Sequence, residues 1–317
     1  MTTKTVALVG GRGYTGGELL KLIAGHPHME LAFATSSSQA GLPVQEACPD
    51  WPDPATRFTA LDPAGVAGER ADAWVLAVPN GAASEWAGAI VSSHPGAVVL
   101  DLSADHRFST AWVYGLPERN RDSIAGARRI ANPSCYATGA QLGLLPLRED
   151  LAAAPSVFGI SGYSGAGKTP SPRNDPERLK DNLLPYKLAG HVHEQEVSHQ
   201  LDRDVRFMPH VADFFRGISL TLSLALERPV DEGQLLAHYE DWYQDEPRVR
   251  VQADPPEVAD VRETPDVHIG GFTVDERDAR RVSLVVTLDN LSKGAASQAV
   301  QNLNLALGLD EHEGLGA

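Results

Sequence analysis

The sequence predicts an α/β protein of two domains, the first built on a parallel, doubly wound sheet and the second of the α+β class. Continuous apolar runs alternate with helical stretches as far as Asn132, a pattern typical of parallel strands buried on both faces. Beyond that point, longer segments alternate apolar and polar residues, which is typical of antiparallel strands. A chain of 317 residues is also longer than one core usually supports.

Four apolar runs at residues 5–9, 31–35, 73–78 and 97–102 supply the strands expected in the first domain. A glycine turn at 10–17 leads into a helical start at 18–24. The second domain is expected to contain strands at 218–226, 267–274 and 282–288 and a helix at 231–243. We therefore expect domains at 1–134 and 135–291, with 292–317, including a helix at 295–307, packing back on the first domain. Residues 169–185 are rich in proline and charge and predict a loop.

The charge balance narrows the classes of partner. Lys and Arg number 27 against 42 Asp and Glu, for a net charge of −15. Nucleic acid and an anionic membrane would repel such a surface, whereas a local cationic pocket still permits a small anionic substrate. No segment approaches the roughly 18 apolar residues of a membrane helix, and the start lacks an apolar signal core. With only two cysteines, Cys48 and Cys135, no disulfide scaffold is expected, and a cytoplasmic location is predicted.

The glycine turn predicts a dinucleotide site. Gly11, Gly13 and Gly16 match the G-x-G-x-x-G pattern, and Gly10 with Gly13 and Gly16 matches a looser one, so the register stays open. Glycine lets the backbone approach phosphate groups and turn into a helix whose N–H groups face the anion. The alternative is a tight structural turn, but a strand before and a helix after favour a Rossmann domain. The predicted cofactor residues here are Gly10, Gly11, Arg12, Gly13, Tyr14, Thr15 and Gly16.

The end of the second predicted strand favours NADP over NAD. NAD-binding domains usually place an acidic residue there for the ribose hydroxyls. Here the segment carries Thr35, Ser36 and Ser38, with no carboxylate before Glu46. A 2′-phosphate would be repelled by an acid and accepted by hydroxyl groups, unless these side chains merely solvate a loop.

Cys135 is the candidate nucleophile. Pro133 fixes a turn, and residues 137–145 then predict a buried helix, which places Cys135 in the first helical turn. The positive end of the helix dipole favours thiolate over thiol there. The alternative is a small buried apolar residue, which is what most cysteines are. Cys48, beside Pro49 in a loop-like stretch, is interpreted as structural.

Several motifs in order along the chain resemble the N-acetyl-γ-glutamyl-phosphate reductase family. They are the glycine turn with Tyr14 and Glu18-Leu19, Ser103-Ala104-Asp105-His106-Arg107, Tyr114-Gly115-Leu116-Pro117-Glu118, Asn132-Pro133-Ser134-Cys135-Tyr136-Ala137-Thr138, Ser161-Gly162-Tyr163-Ser164-Gly165-Ala166-Gly167-Lys168 and Asn290-Leu291-Ser292-Lys293-Gly294-Ala295-Ala296. The resemblance implies a Rossmann domain and an α+β catalytic domain similar to that of glyceraldehyde-phosphate dehydrogenase. It also implies NADPH, a cysteine nucleophile, arginine biosynthesis and a homo-oligomer.

The sequence departs from the family pattern at two places. Ser134 stands where glycine is usual, and the family's His-Arg-His-x-Pro-Glu becomes His191-Val192-His193-Glu194-Gln195-Glu196. By family position, His193 is expected to be the acid–base group, with Glu196 orienting it and His191 in reserve at the substrate. Histidine suits this role because its pKa lies near neutral pH, and the alternative is a solvated loop histidine. A zinc motif is not completed, because Val197 stands where the second ligand belongs, so no metal is expected.

Residues 162–169 match the P-loop pattern literally but predict no ATPase. A P-loop lysine must open a helix, and Pro170, Pro172 and Pro176 prevent one. Because the stretch follows a strand at 157–161, the resemblance implies instead that it lies against cofactor or acyl group. Ser164, Gly165 and Asn290 are therefore expected at the cofactor, and Ser161 at the substrate.

The resemblance implies reduction of an acyl phosphate through a thioester on Cys135, with Arg107 holding the phosphate or a substrate carboxylate and Asn132 also lying at the substrate. An exposed surface arginine is the alternative for Arg107. Sister enzymes acting on aspartyl or acetylaminoadipyl phosphate remain open, because one methylene shifts affinity by only about 1–3 kcal/mol. A non-catalytic dinucleotide-binding regulator is the alternative from another class.

Overall fold

The polypeptide divides between Ser134 and Cys135, and again between Gly294 and Ala295, into two structural units. The structure, a computed structural model, describes residues 2–316. The second division lies slightly later than the domain boundary predicted at 291/292.

The strands, numbered along the chain, are β1 Lys4–Val9, β2 Met29–Thr35, β3 Ala73–Leu76, β4 Val98–Asp101, β5 Val113–Tyr114, β6 Arg129–Ala131, β7 Ser156–Gly162, β8 Leu183–Pro185, β9 Arg206–Ala212, β10 Ile218–Ala225, β11 Val249–Val251, β12 Val267–Asp275 and β13 Asp278–Leu288.

The helices complete the inventory of regular elements. They are α1 Tyr14–Gly25, α2 Ala83–Ser93, α3 Pro117–Ile124, α4 Cys135–Leu144, α5 Pro176–Leu179, α6 Val192–Leu201, α7 Glu232–Trp242, α8 Val258–Val261 and α9 Ser297–Leu307. A π-helical turn, Ser292–Ala296, precedes α9.

The first unit is a parallel sheet with helices on both faces, in the order β2-β1-β3-β4-β6-β5. Alternate residues of β1 enter two separate cores. Val6 and Leu8 pack in the cluster that contains residues of α1 and α9, while Ala7 and Val9 pack in the cluster that contains residues of α2. Because side chains alternate across a strand, a continuous apolar run buries both faces. The predicted doubly wound sheet is confirmed.

The second unit carries a mixed sheet in the order β11-β12-β13-β10-β7-β9-β8. Most neighbours pair antiparallel, and β7 with β9 and β11 with β12 pair parallel. Helix α4 packs closely on this sheet: a Cβ on Gly139 would lie 2.7 Å from Leu288, and one on Gly143 would lie 2.7 Å from Leu222. These glycines let the helix that begins at Cys135 approach the strands. The predicted α+β class is confirmed.

Three local predictions need correction. Helix α1 begins at Tyr14 rather than at 18, because the extended Gly13 already serves as its N-cap. The last α-helix begins at Ser297 rather than at 295, since the π-helical turn occupies the preceding residues. The stretch 169–185 is not entirely loop: it holds the short helix α5 and strand β8.

Candidate active site

The glycine turn of the first unit is sterically suited to a phosphate group. Gly10 has φ +89°, and a Cβ there would lie 2.3 Å from the carbonyl oxygen of Ala77. A Cβ on Gly16 would lie 2.4 Å from the carbonyl oxygen of Gly11. Gly13, the N-cap of α1, faces open space, and the first turn of α1 has neither a side-chain cap nor an acidic residue. The uncapped N–H groups therefore meet the requirements of a dinucleotide phosphate.

The hydroxyl groups after β2 have different local roles. Thr35 and Ser36 are buried; the Thr35 Oγ1 accepts from the Gly10 N–H at 3.2 Å, and the Ser36 Oγ accepts from the Gln39 N–H at 3.1 Å. Ser38 is exposed. The first two side chains shape the loop, and Ser38, like Ser37, faces solvent.

Arg107 and Asn132 lie together in the first unit. Arg107 is buried, and it donates from Nε to the Asn132 carbonyl at 2.9 Å and from Nη2 to the Leu102 carbonyl at 2.7 Å. Asn132 also donates its backbone N–H to Asp101 at 2.8 Å and accepts at Oδ1 from Asn302 at 3.0 Å. The arginine is thus not an exposed surface residue, and it holds the segment that leads to Cys135 along the chain.

A buried carboxylate that the sequence did not single out organises the loop after β4. Asp101 accepts from the Ser103 N–H at 2.8 Å and Oγ at 2.9 Å, and its Oδ2 lies 2.7 Å from the His106 Nδ1. The His106 ring stacks on Trp112 with centroids 3.9 Å apart. The motif that contains Arg107 is therefore a hydrogen-bonded structural unit.

This loop superficially resembles a hydrolytic triad, because the Ser84 Oγ lies 3.3 Å from the His106 Nε2. The backbone N–H groups of Gly81 and Ala83, the natural oxyanion donors beside Ser84, are instead taken by the Asp105 carboxylate at 2.6 and 2.9 Å. A negative charge at that position opposes an oxyanion. The cluster is structural rather than hydrolytic.

Cys135 is the first residue of α4, as predicted. Its side chain is partly exposed, whereas Cys48 is buried. Burial, and then the charge of Asp50, raise the pKa of the Cys48 thiol. Since the thiolate is the nucleophile, the helix start and the exposure both favour Cys135 over Cys48.

The Tyr136 ring forms one wall beside the cysteine in the second unit. Tyr136 is buried and donates its hydroxyl to the His210 carbonyl at 2.8 Å. Its ring centroid lies 4.8 Å from that of Phe207 and 5.6 Å from that of His193. Burial is the main cause that raises the Tyr136 pKa, so the phenol remains neutral. The predicted acid–base histidine therefore lies against the residue that follows Cys135.

His191 and His193 differ in their availability for proton transfer. His191 is the N-cap of α6: its Nδ1 accepts from the His193 N–H at 3.2 Å, and the two rings are 4.6 Å apart. Burial first, and then the charges of Lys187 and Arg173, lower the His191 pKa to about 4. One ring nitrogen of His191 is thus committed to the helix and the ring is neutral at pH 7. This arrangement favours His193 for the acid–base role.

Glu194 and Glu196, both in α6, differ in burial. Glu194 accepts from the backbone N–H groups of Gly190 at 2.8 Å and Phe207 at 2.9 Å, so it is structural. Glu196 is completely buried and lies three residues after His193. Side chains at that spacing share a helix face, which supports an orienting role for Glu196.

Tyr186 lies beside His191, and Arg173 lies on the Tyr186 ring, a neighbourhood that the sequence did not predict. The Tyr186 ring centroid lies 5.5 Å from that of His191, and the Arg173 Cζ lies 4.9 Å from the Tyr186 ring centroid. Burial, and then the charge of Cys135, raise the Tyr186 pKa to about 12. Both residues belong to a stretch without a recognisable motif, so no signal in the sequence marked them.

Ser161, Ser164, Gly165 and Asn290 converge as a group in the second unit. Asn290 donates from Nδ2 to the Ser164 Oγ at 2.9 Å and accepts at Oδ1 from the Gly217 N–H at 2.7 Å. A Cβ on Gly165 would lie 3.0 Å from the Ser161 Oγ. No helix follows directly after Lys168, in agreement with the rejection of a P-loop. Asn290 thus holds the loop after β7 in place, and a ligand can bind against that loop.

Two classes of feature are absent from residues 2–316. None of the helices found there is both long enough and apolar enough to cross a membrane. Within the same residues, no set of three or more His, Cys, Asp or Glu side chains is arranged to hold a metal ion.

Comparison with known families assigns both halves of the chain. A model described as "Semialdehyde dehydrogenase, NAD binding domain" matches residues 5–127. A second, "Semialdehyde dehydrogenase, dimerisation domain", matches residues 135–290. The N-acetyl-gamma-glutamyl-phosphate reductase of Xanthomonas campestris pv. campestris (strain B100) is 51% identical over 98% of each chain. That of Xylella fastidiosa (strain M23) is 49% identical over 98% of this chain and 94% of its own.

Solved structures support the fold. Aspartate semialdehyde dehydrogenase II complexed with ASA from Vibrio cholerae superposes with a TM-score of 0.78 at 19% identity, covering 97% of this chain and 99% of that chain. Aspartate semialdehyde dehydrogenase with NADP from Candida albicans gives 0.73 at 17% identity, covering 96% and 98%. At such low identity the likeness establishes the architecture alone.

Proposed function

The chain belongs to the N-acetyl-γ-glutamyl-phosphate reductase family, and on that premise we propose that it reduces N-acetyl-γ-glutamyl phosphate to N-acetylglutamate semialdehyde and phosphate. Half of its residues are shared with such reductases over nearly the full length, as the motifs indicated. The observation that carries the proposal is Cys135 at the first position of α4, in the same unit as the ring pair of Tyr136 and His193. The reaction belongs to arginine biosynthesis.

Cys135 acts as the nucleophile. Its sulfur attacks the acyl carbon, a C–S bond forms, and the C–O bond to phosphate breaks. The first turn of α4 stabilises the thiolate through the N-terminal end of the helix dipole. A thioester remains on Cys135, and phosphate leaves with the bonding electrons.

His193 handles the proton. It accepts the proton of the Cys135 thiol and later protonates the alkoxide that forms when the thioester is reduced. Return of that proton accompanies cleavage of the C–S bond, which releases the aldehyde and regenerates the thiolate. Glu196, buried one turn along α6, keeps the imidazole oriented.

NADPH, when bound, supplies the hydride that reduces the thioester. The turn from Gly10 to Gly16 suits its phosphate groups, because Gly13 at the start of α1 faces open space and no acidic residue lies in the first turn of that helix. Ser38, exposed and without a neighbouring acid before Glu46, suits a 2′-phosphate. We also assign the cofactor to the following residues: Arg12, Tyr14, Thr15, Thr35, Ser36, Ser164, Gly165 and Asn290.

Substrate binding is assigned to Arg107, Asn132, Ser161 and His191. Arg107 is held by its hydrogen bonds to the Asn132 and Leu102 carbonyls, and a fixed guanidinium suits an anionic group of the substrate. We further propose a cytoplasmic homo-oligomer, since the model that matches residues 135–290 is described as a dimerisation domain.

The reverse reaction tests this function. Oxidation of N-acetylglutamate semialdehyde with NADP should require inorganic phosphate and saturate with it, because phosphate resolves the thioester. The measurement is the initial rate of NADPH formation against phosphate concentration in a phosphate-free buffer. Full steady turnover without phosphate would show that water resolves the thioester and would refute the proposal. Faster turnover of aspartate or acetylaminoadipate semialdehyde would identify a sister enzyme.

A further inference from the structure

We propose that Arg173 and Lys187 form the subsite for the substrate carboxylate, the anionic group remote from the reacting carbon. The inference rests on the proposed function, since it assigns one end of that substrate. A continuous series of rings in the second unit leads from His193 to Arg173. The centroids of His193 and His191 lie 4.6 Å apart, those of His191 and Tyr186 lie 5.5 Å apart, and the Arg173 Cζ lies 4.9 Å from the Tyr186 ring centroid.

Tyr186 fixes the outer end of this series. Its backbone N–H donates to the Pro209 carbonyl at 3.2 Å, directly after β8 pairs antiparallel with β9. The ring is half-buried, and the Arg173 guanidinium over its face adds a cation–π interaction. Arg173 is itself exposed, so its charge faces solvent at a defined place.

The backbone that carries Arg173 is also held in place. The next residue, Asn174, accepts at Oδ1 from the Ser171 N–H at 2.7 Å and Oγ at 3.1 Å. It donates from Nδ2 to the carbonyls of Gly167 at 2.6 Å and Thr169 at 2.8 Å. These bonds tie the Arg173 loop to the glycine-rich stretch after β7. The arginine is therefore presented by an ordered turn, which reduces the entropy lost on binding.

Lys187 supplies the second cation. Its backbone adopts φ +41°, a left-handed conformation that is uncommon for a residue with a side chain. Lys187 directly follows Tyr186 in the chain and is exposed, and its charge, like that of Arg173, lowers the pKa of His191. In a chain of net charge −15, two such cations create a local site for an anion.

The geometry selects the carboxylate rather than the phosphate. The phosphate is bonded to the carbon that Cys135 attacks and must lie beside the sulfur. The carboxylate is separated from that carbon by two methylene groups and the α-carbon. Arg173 lies on the Tyr186 ring, and the His191 ring lies between Tyr186 and His193, the proposed acid–base group. Arg173 is thus two aromatic rings removed from the acid–base histidine, which suits the distal anion.

A substrate lacking the carboxylate provides the test. The experiment would compare kcat/KM for N-acetylglutamate semialdehyde with kcat/KM for 4-acetamidobutanal, its decarboxylated analogue, in the presence of NADP and saturating phosphate. The wild type should prefer the carboxylate substrate, and Arg173→Met should lose about 10- to 100-fold of that preference, as expected for a charge-assisted hydrogen bond. Lys187→Met should lose less, and Arg173→Lys should retain part of it. Arg277→Met, at an exposed turn of the second unit, is the control and should retain the full preference.

The outcomes separate this proposal from the proposed function. If Arg173→Met slows both aldehydes by the same factor, Arg173 does not read the carboxylate and the subsite is refuted. A raised KM for phosphate with unchanged aldehyde preference would place the phosphate there and also refute it. Failure of the wild type to oxidise either aldehyde in a phosphate-dependent way would refute the reaction itself.

Discussion

Gly294 packs directly against Cys135: a Cβ at position 294 would lie 2.6 Å from the Cys135 Cβ. The backbone N–H of Gly294 donates to the Asp289 carbonyl at 2.9 Å. The buried Asp289 carboxylate in turn accepts from the Arg216 Nε at 2.6 Å and from the N–H groups of Leu291 and Ser292 at 2.8 and 3.1 Å. The hydrogen-bonded turn at residues 289–294 therefore fixes the position of Cys135 through the contact with Gly294.

Gly294→Ala should displace Cys135 and reduce kcat by about 100-fold, the loss typical of a misplacement near 1 Å. The check combines steady-state turnover with the rate of Cys135 alkylation by iodoacetamide. Gly88→Ala, in an open position of α2, is the matched control and should leave both rates unchanged. Wild-type turnover in Gly294→Ala would show that the contact has no catalytic consequence.

Cys135→Ser should reduce turnover to below about one thousandth of the wild-type value, because it removes the nucleophile. NADPH binding, followed by fluorescence, should remain nearly unchanged, since the glycine turn lies elsewhere in the chain. Cys48→Ser should keep activity, because Cys48 is buried and its pKa is raised by that burial. Inactivation that tracks alkylation of Cys48 instead would refute the assignment.

Ser38→Asp should weaken the preference for NADP over NAD by about five- to tenfold, since two charges about 4 Å apart in water interact by ~1 kcal/mol. The measurement is the ratio of kcat/KM for the two cofactors. Ser38→Asn introduces a side chain of the same shape as aspartate but without its charge, so this variant should retain the preference for NADP. Equal use of NADP and NAD by the wild type would contradict the interpretation of this loop.

His193→Asn should reduce the chemical step by about 10²- to 10⁴-fold, the usual contribution of an acid–base group. His191→Asn should act more mildly, because asparagine is a good N-cap and can replace the Nδ1 that accepts from the His193 N–H. Single-turnover rates and their pH profiles distinguish the two variants. Small, equal effects would return both histidines to structural roles.

The low pKa of His191 predicts a loss of stability in acid. Its pKa is about 4 in the folded protein and 6.5 ordinarily, so the unfolded chain binds more protons between these values. Stability should fall as pH decreases through this window and be unaffected by the group at pH 7. Urea unfolding at pH 5 and pH 7 should therefore show a smaller pH difference in His191→Asn. An NMR titration of His191 near pH 6.5 would contradict the assignment.

The features that the sequence predicted are local ones. Continuous apolar runs predicted the parallel sheet because the β1 residues from Val6 to Val9 are buried alternately on one face and the other. Pro133 followed by an apolar helical stretch predicted the helix that begins at Cys135. The glycine spacing predicted the turn before α1, although it left the register open. Such patterns arise from backbone geometry over a few residues, which neighbouring residues alone determine.

Long-range contacts decided the surroundings of the site. Pairing of β8 with β9 brings Tyr186 to Pro209 and so sets its ring beside His191, while a separate turn places Arg173 on that ring. No periodicity or spacing encodes these approaches, because they depend on which strands become neighbours in the sheet. The sequence by itself therefore determined the fold class and the candidate nucleophile. Only the tertiary structure showed which cations and rings lie beside the predicted histidines, because burial and charge at a site are summed over elements distant in the chain.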